Sequence, residues 1–190
     1  IIYNYLKKRN IVIPPKNRSS KAEKYAGAYV KEPIPGKYDW VVSFDLNSLY
    51  PHLIMQYNIS PETLITERLP DDIQLLKDQI SVETLLSQKL DTSILKKYNL
   101  CMTPNGQFFK RDNHGFLPKM MQNMYDDRVQ YKEQMIEAQK QYEVSKTKTI
   151  SNRIDKYKNM QMAKKVSLNS AYGALGNQYF RFYDVRQAEA

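Results

Sequence analysis

The sequence predicts an α+β fold in which a long antiparallel helical hairpin joins a region of strands and short helices. Apolar and aromatic residues recur at steps of 3 and 4 over residues 117–142 and again over 150–172, which indicates two long helices. A polar break at 145–149 separates them, so we expect the helices to run antiparallel. Two segments before the helices, 38–45 and 101–117, have the pattern of β-strands.

The composition of the chain bears on its core, its partners and its cellular compartment. The chain has 190 residues, 42% of them hydrophobic, which is enough for a core, and both of its ends look cut. Its net charge of +9 favours polyanionic partners, although a basic surface that only aids solubility has the same sum. No apolar run approaches the roughly 20 residues that span a bilayer. The single cysteine, Cys101, excludes an internal disulfide framework and fits a reducing compartment.

The first part of the chain leads to a carboxylate. Residues 1–37 are basic and contain several prolines, so we expect a short helix followed by extended chain. The predicted strand at 38–45 ends at Asp45. Pro51 suits the first turn of a helix, which predicts helix over 51–57.

The middle of the chain is predicted to be surface structure. Residues 70–100 are polar with apolar residues at helical spacing, which predicts one or two surface helices. Residues 101–117 predict a β-hairpin that turns at 104–106, and a further turn is expected at 112–115.

Three basic residues are predicted to lie close together in the helical hairpin. Arg128 precedes the turn by about 17 residues and Lys165 follows it by about 20, so both stand about 25–30 Å from the tip. Each occupies a seam position of its helix, and Lys132 lies one turn from Arg128 on the same face. Such a cluster favours a bound anion. Alternatively, each side chain extends into solvent.

Residues 45–51 combine a carboxylate, a hydroxyl, an aromatic ring and a proline. The backbone amides of Ser48 and Leu49 at a helix start could receive phosphate oxygens. Tyr50 could form the floor under a sugar ring. Alternatively, Asp45 is only a cap or turn residue. The segment therefore suggests a site for a metal ion, a phosphate and a sugar.

Residues 165–177 form the second dense cluster of polar residues. Asn169 and Tyr172 are three apart on one helical face, and Gly173 would let another backbone approach closely. A helix end with a packing aromatic would explain Tyr172 and Gly173 but not Lys165 or Asn169. The two clusters together suggest one nucleotide site.

These segments resemble the motifs of family B DNA polymerases. Residues 45–51 are similar to motif A, Asp-x-x-Ser-Leu-Tyr-Pro-Ser, and residues 165–173 to motif B, Lys-x-x-x-Asn-Ser-x-Tyr-Gly. Arg128 and Lys132 match the Arg-x-x-x-Lys pattern of the fingers helix, and residues 25–28 resemble the Tyr-x-Gly-Gly/Ala loop. Four motifs in order are highly specific.

The resemblance extends over residues 11–190. It is particularly close to the replicative polymerases of large myovirus-type bacteriophages through residues 58–63, 104–106 and 172–177. The implied subdomains are 1–37, a lead-in with the template-contact loop; 38–118, a partial palm with motif A; 119–173, the fingers hairpin with motif B; and 174–190, a truncated return to the palm.

The resemblance implies the chemistry. Asp45 would hold two Mg²⁺ ions, with the Leu46 carbonyl as a ligand of one. Asp45 and Lys165 would be catalytic in a two-metal phosphoryl transfer that adds a deoxynucleotide to a primer 3′-end. The implied nucleotide-binding residues are Ser48, Leu49, Tyr50, Arg128, Lys132, Lys165 and Asn169.

The resemblance also implies how the substrates lie. The three basic residues and the motif A amides would grip the triphosphate, with support from Asn169. Tyr50 would lie under the deoxyribose and exclude a 2′-hydroxyl. Tyr172 and Gly173 would lie against the minor groove of the nascent pair, and the loop at 25–27, through Tyr25 and Gly27, would contact the template backbone.

Three departures from the family pattern stand out. His52 occupies a position where the family usually has Ser, and Asn47 replaces the Thr of phage relatives. Motif C, Asp-Thr-Asp-Ser, should follow motif B, yet residues 178–190 contain only the single Asp184. We therefore expect this chain alone not to polymerise DNA.

The implied partners are primer–template DNA, dNTP and a sliding clamp reached through other parts of the parent protein, with no membrane association. The implied location is the cytoplasm of an infected bacterial host. Two alternatives stay open: half of a naturally split polymerase, and a non-catalytic helical hairpin that binds nucleic acid.

Overall fold

Helices make up about half of the described residues. A computed structural model describes residues 1–15 and 29–190. In chain order, the elements are α1 Ile2–Lys7, α2 Leu49–Gln56, α3 Asp71–Asp78, α4 Val82–Leu86, α5 Ser93–Lys97, β1 Leu100–Met102, β2 Phe108–Lys110, α6 Phe116–Val144, α7 Lys148–Leu175 and α8 Val185–Ala188. The predicted α+β class is confirmed.

The helices α6 and α7 form the predicted antiparallel hairpin. Only residues 145–147 connect them, and the side chain of Thr147 caps α7 by accepting a hydrogen bond from the Ile150 backbone N–H. The hairpin begins at residue 116 and ends at residue 175, a few residues outside the predicted span of 119–173. It forms because its apolar residues recur at helical spacing and bury a shared seam.

The start of α6 is fixed by the loop that follows α2. Ser60 and Glu62 side chains accept hydrogen bonds from backbone N–H groups in the first turn of α6, which no intrahelical carbonyl could satisfy. The buried Asn58 side chain donates to the carbonyls of Lys110 and Asn113 and accepts from the Gly115 N–H. This loop therefore joins α2, the strands and α6.

The predicted β-hairpin is confirmed. The strands β1 and β2 pair antiparallel, with Cys101 opposite Phe109, and the turn is closed by a Thr103 N–H to Gln107 C=O bond. Gly106 has a φ of 74°, a conformation that glycine adopts without strain. Burial raises the pKa of the Cys101 thiol.

Two apolar clusters form the interior. The larger joins α2, α6 and α7 through Ile54, Met121 and Leu168, and Leu6 of α1 packs into it. The smaller lies between α3 and the strands around Ile73 and Phe108. The larger cluster fixes α2 against the base of the hairpin, where the motif residues lie.

Two expectations were wrong. Residues 38–45 form no strand, and Val41, Val42 and Phe44 are 76%, 70% and 92% exposed. A strand needs a neighbouring backbone, and the described residues place none beside this segment. The second expectation concerned residues 70–100, which form three short helices rather than one or two.

Candidate active site at the base of the helical hairpin

The two motif segments meet around one cavity of about 490 Å³, although they are far apart in sequence. The segment before and into α2 forms one wall, and residues of α6 and α7 form the other. The described lining residues are Phe44, Asp45, Leu46, Asn47, Ser48, Leu49, Tyr50, Arg128, Lys165 and Asn169. Most of the predicted site residues are therefore brought together.

An ion pair joins α6 and α7 next to this cavity. Lys164 Nζ donates to Asp127 Oδ2 at 2.6 Å, and both side chains are partly buried. Their neighbours in sequence, Arg128 and Lys165, both line the cavity. The predicted seam position of Lys165 was wrong: Lys165 is exposed, whereas the half-buried basic residue is Lys164. The reason is that Lys164 has a carboxylate partner across the seam.

Arg128 is bound to the turn that begins α2. Its Nη1 donates a hydrogen bond to Ser48 Oγ at 2.7 Å. The Nε of Arg128 is buried and has no hydrogen-bond partner within residues 1–15 and 29–190. Since buried polar atoms are nearly always paired, this nitrogen marks a place for an acceptor that the described residues do not supply.

The N-terminus of α2 lies at this cavity, which Ser48, Leu49 and Tyr50 line. Ser48 is the N-cap residue, and Leu49 and Tyr50 begin the first turn, whose N–H groups have no intrahelical acceptor. Pro51 fits this turn because it has no N–H to satisfy. Together with the positive end of the helix dipole, these amides favour an anion at the cavity.

Tyr50 and Tyr172 stack on each other across the site. Their ring centroids are 4.2 Å apart with an interplanar angle of 11°, and Tyr50 is 39% exposed. The stack joins motif A to motif B and was not predicted, because the sequence placed the two rings against different substrates. Gly173 is exposed, and no described atom lies within 4 Å of a Cβ built there, so the close backbone approach expected at this residue is not found within the described chain.

Lys132 lies apart from the main cavity. Together with Arg128, Asn47, Tyr125 and Val129 it lines a separate cavity of about 60 Å³. Arg128 and Asn47 line both cavities. The predicted trio of basic residues therefore divides between two adjoining cavities. Sequence reasoning did not select Asn47 as a site residue, although its place inside the motif was a usable signal.

The cavity offers one carboxylate as a metal ligand. Asp45 is the sole acidic residue in the described part of its lining, and Leu46 lies next to it. In the part of the chain that the structure describes, no three His, Cys, Asp or Glu residues could hold a metal ion together. Asp45 thus fits as one ligand of a Mg²⁺ site, whose other ligands would be phosphate oxygens and further groups.

Two further points concern the predicted template-contact loop and the length of the helices. The predicted template-contact loop, with Tyr25 and Gly27, lies outside the described residues. Among the helices of the described segments, none is long and apolar enough to cross a membrane.

Comparison with known proteins shows the family of the chain. The model of the family described as DNA polymerase family B matches residues 1–190. The DNA-directed DNA polymerases of Escherichia phage RB69 and Enterobacteria phage T4 are 32% and 29% identical to the chain, and each match covers 100% of it and 24% of the relative.

A solved structure supports the same assignment. The family B DNA polymerase from the hyperthermophilic archaeon Pyrobaculum calidifontis matches 99% of this chain and 20% of its own, with a TM-score of 0.64 and 27% identity. The chain thus spans about a quarter of the length of its phage relatives. With a family match over its whole length and a polymerase fold, this chain belongs to the family B DNA polymerases.

Proposed function

We propose that this chain supplies the nucleotide-binding part of a DNA-directed DNA polymerase, which adds deoxynucleotides to a primer 3′-end in viral DNA replication. The observation that carries the proposal is the cavity in which Asp45 meets Arg128, Lys165 and Asn169. Its charge suits a triphosphate: two basic side chains and a helix N-terminus surround a single carboxylate.

The triphosphate would lie between the hairpin and the start of α2. Lys165 and Arg128 would bind its oxygens, and the unpartnered Nε of Arg128 supports this role. The amides of Ser48 and Leu49 would receive further oxygens, and Asn169 would support the grip. Lys132 would act from the adjoining smaller cavity. Binding at several points would hold the nucleotide in line for attack.

Asp45 and Leu46 are the residues that would hold Mg²⁺. When bound, the metal would neutralise charge on the phosphates and help activate the primer hydroxyl. Asp45 would contribute its carboxylate and Leu46 its backbone carbonyl. The remaining carboxylates of a two-metal site would come from residues other than those lining this cavity.

The stacked rings of Tyr50 and Tyr172 would distinguish deoxyribose from ribose. Tyr50 would lie beneath the deoxyribose, and Tyr172 supports its ring from one face at 4.2 Å. A ring held in place would exclude a 2′-hydroxyl by contact. Tyr172 and Gly173 would also lie near the minor groove of the new base pair, and Tyr25 and Gly27 near the template.

The proposed subdomains follow these roles. Residues 38–118 would belong to the palm, 119–173 to the fingers and 174–190 to the return into the palm, after a lead-in at 1–37. The proposed partners are primer–template DNA, dNTP and a sliding clamp. The proposed setting is the cytoplasm of an infected bacterium.

Replacing Lys165 tests the proposal. In the complete polymerase, Lys165→Ala should lower kcat/KM for dNTP about 10- to 100-fold, because one charge-assisted contact to the triphosphate is lost. Steady-state primer extension measures the change.

Lys158→Ala is the matched control. Lys158 is exposed and lies two turns earlier on the same helix, so its replacement should leave kcat/KM unchanged. If both variants behave like the wild type, the triphosphate role of the cavity is wrong.

A further inference from the structure

We propose that His52 is a positioning residue for the nucleotide site, one that holds the Ser48 turn in the shape that orients Arg128. The proposal rests on the nucleotide-binding function inferred above. His52 lies in the first helical turn after Pro51, is half-buried and does not line the cavity. Its effect on a nucleotide would therefore pass through other residues.

His52 binds the Ser48 carbonyl twice. The carbonyl accepts the His52 backbone N–H at 3.1 Å and lies 2.9 Å from His52 Nδ1. Since a carbonyl oxygen carries no proton, Nδ1 must be the protonated ring nitrogen in this bond. The second bond is additional to the usual helix pattern.

The Ser48 turn needs such support. Ser48 has φ 54° and ψ 44°, the left-handed region that is unfavourable for a residue with a Cβ. This conformation sets the direction of the Ser48 side chain, whose Oγ accepts the Arg128 Nη1 bond at 2.7 Å. If the turn relaxed, the acceptor that fixes the guanidinium group would move.

His52 also contacts the helix that carries Arg128. Its ring meets the Tyr125 ring edge-on, with centroids 4.7 Å apart and planes at 81°. Tyr125 precedes Arg128 by three residues in α6, and both line the smaller cavity. One side chain thus touches the turn that accepts the Arg128 bond and the helix that presents its donor.

Two variants of the complete polymerase separate these contacts. His52→Phe keeps a ring against Tyr125 but removes the Nδ1 donor. His52→Asn loses the ring but keeps a donor nitrogen at the same number of bonds from Cα. We expect His52→Phe to raise the KM for dNTP about fivefold while kcat stays within about twofold, and His52→Asn to stay near the wild-type KM.

A second experiment places His52→Phe in a Ser48→Gly variant, so that an effect on the Ser48 turn can be separated from a general loss of stability. Glycine adopts the left-handed conformation without strain, and Ser48→Gly also removes the hydroxyl that Arg128 binds. Adding His52→Phe to Ser48→Gly should therefore raise KM no further than Ser48→Gly alone. Thermal unfolding of each variant confirms that the compared proteins are folded.

The outcomes are distinguishable. An unchanged KM in His52→Phe, an equal loss in His52→Asn, or a further loss in the double variant overturns the positioning role. Lys165→Ala serves as the reference for the site itself. If Lys165→Ala lowers kcat/KM while His52→Phe leaves KM unchanged, only this inference fails; if Lys165→Ala has no effect, the proposed function fails.

Discussion

Gly115 and Gly173 differ in what surrounds them. A Cβ built on Gly115 would lie 2.5 Å from the Cβ of Ser60, which real structures do not tolerate. Ser60 is fully buried and helps to cap α6, so it has little freedom to move. No described atom lies within 4 Å of a Cβ on Gly173. Gly115 is therefore required for packing, whereas no contact among the described residues requires a glycine at position 173.

Alanine substitutions in the complete polymerase test this contrast. Gly115→Ala should lower the free energy of unfolding by about 1–3 kcal/mol, because the new methyl group overlaps Ser60. Gly173→Ala should leave it unchanged or raise it by up to about 1 kcal/mol, because alanine favours a helix more than glycine. Denaturant unfolding measures both values. An equal loss of stability in the two variants would contradict this account.

At the same scale, part of the site was predictable and part was not. Counting residues from the turn was enough to predict Arg128 and Lys165 near one level, since a helix advances by a constant rise. The bond from Arg128 to Ser48 was not predictable. It depends on one left-handed serine, and sequence patterns do not report a single unusual φ angle.

At the scale of elements, the sequence predicted those whose hydrogen bonds join residues close together in the chain. The hairpin formed by α6 and α7 was predicted because the bonds of a helix lie within four residues and its apolar stripe is visible in the sequence. The strand at 38–45 was wrongly predicted because a strand depends on a partner that its own sequence does not encode. Its apolar residues are exposed in the described structure, with Trp40 at 98%.

The register of the hairpin should depend on the Asp127–Lys164 ion pair. A double-mutant cycle with Asp127→Asn and Lys164→Met, in the complete polymerase, should give a coupling energy of about 0.5–1 kcal/mol, because the pair is only partly screened by solvent. Unfolding free energies at low salt measure the coupling.

The pair Arg68–Asp71 is the control for that cycle. Both of its side chains are 90% exposed and their separation is 3.4 Å, so its coupling should be close to zero. If the two pairs give equal coupling, the burial of Lys164 and Asp127 adds nothing to the hairpin.

At the scale of the whole molecule, one carboxylate cannot complete a two-metal site. Asp45 is the only acidic residue among the described residues that line the cavity, and the chain spans 24% of each phage relative. A pair of Mg²⁺ ions would therefore need carboxylates beyond those that the described lining supplies.

The isolated 190-residue chain should not extend a primer in the presence of Mg²⁺ and dNTP. A primer-extension assay on purified chain, with the complete polymerase as the positive control, measures this. Incorporation by the chain that is lost in its Asp45→Asn variant would show that the chain supplies a sufficient metal site, against our expectation.

The length of the hairpin formed by α6 and α7 determines how far its tip would move when its base rotates. Val144 lies 16 residues beyond Arg128, so the tip extends about 24 Å from the cavity. A rotation of about 10° at the base would displace the tip by about 4 Å, since displacement grows with the length of the arm. A fluorescent label at the exposed Lys146 would therefore report small rotations of the hairpin about its base as larger displacements.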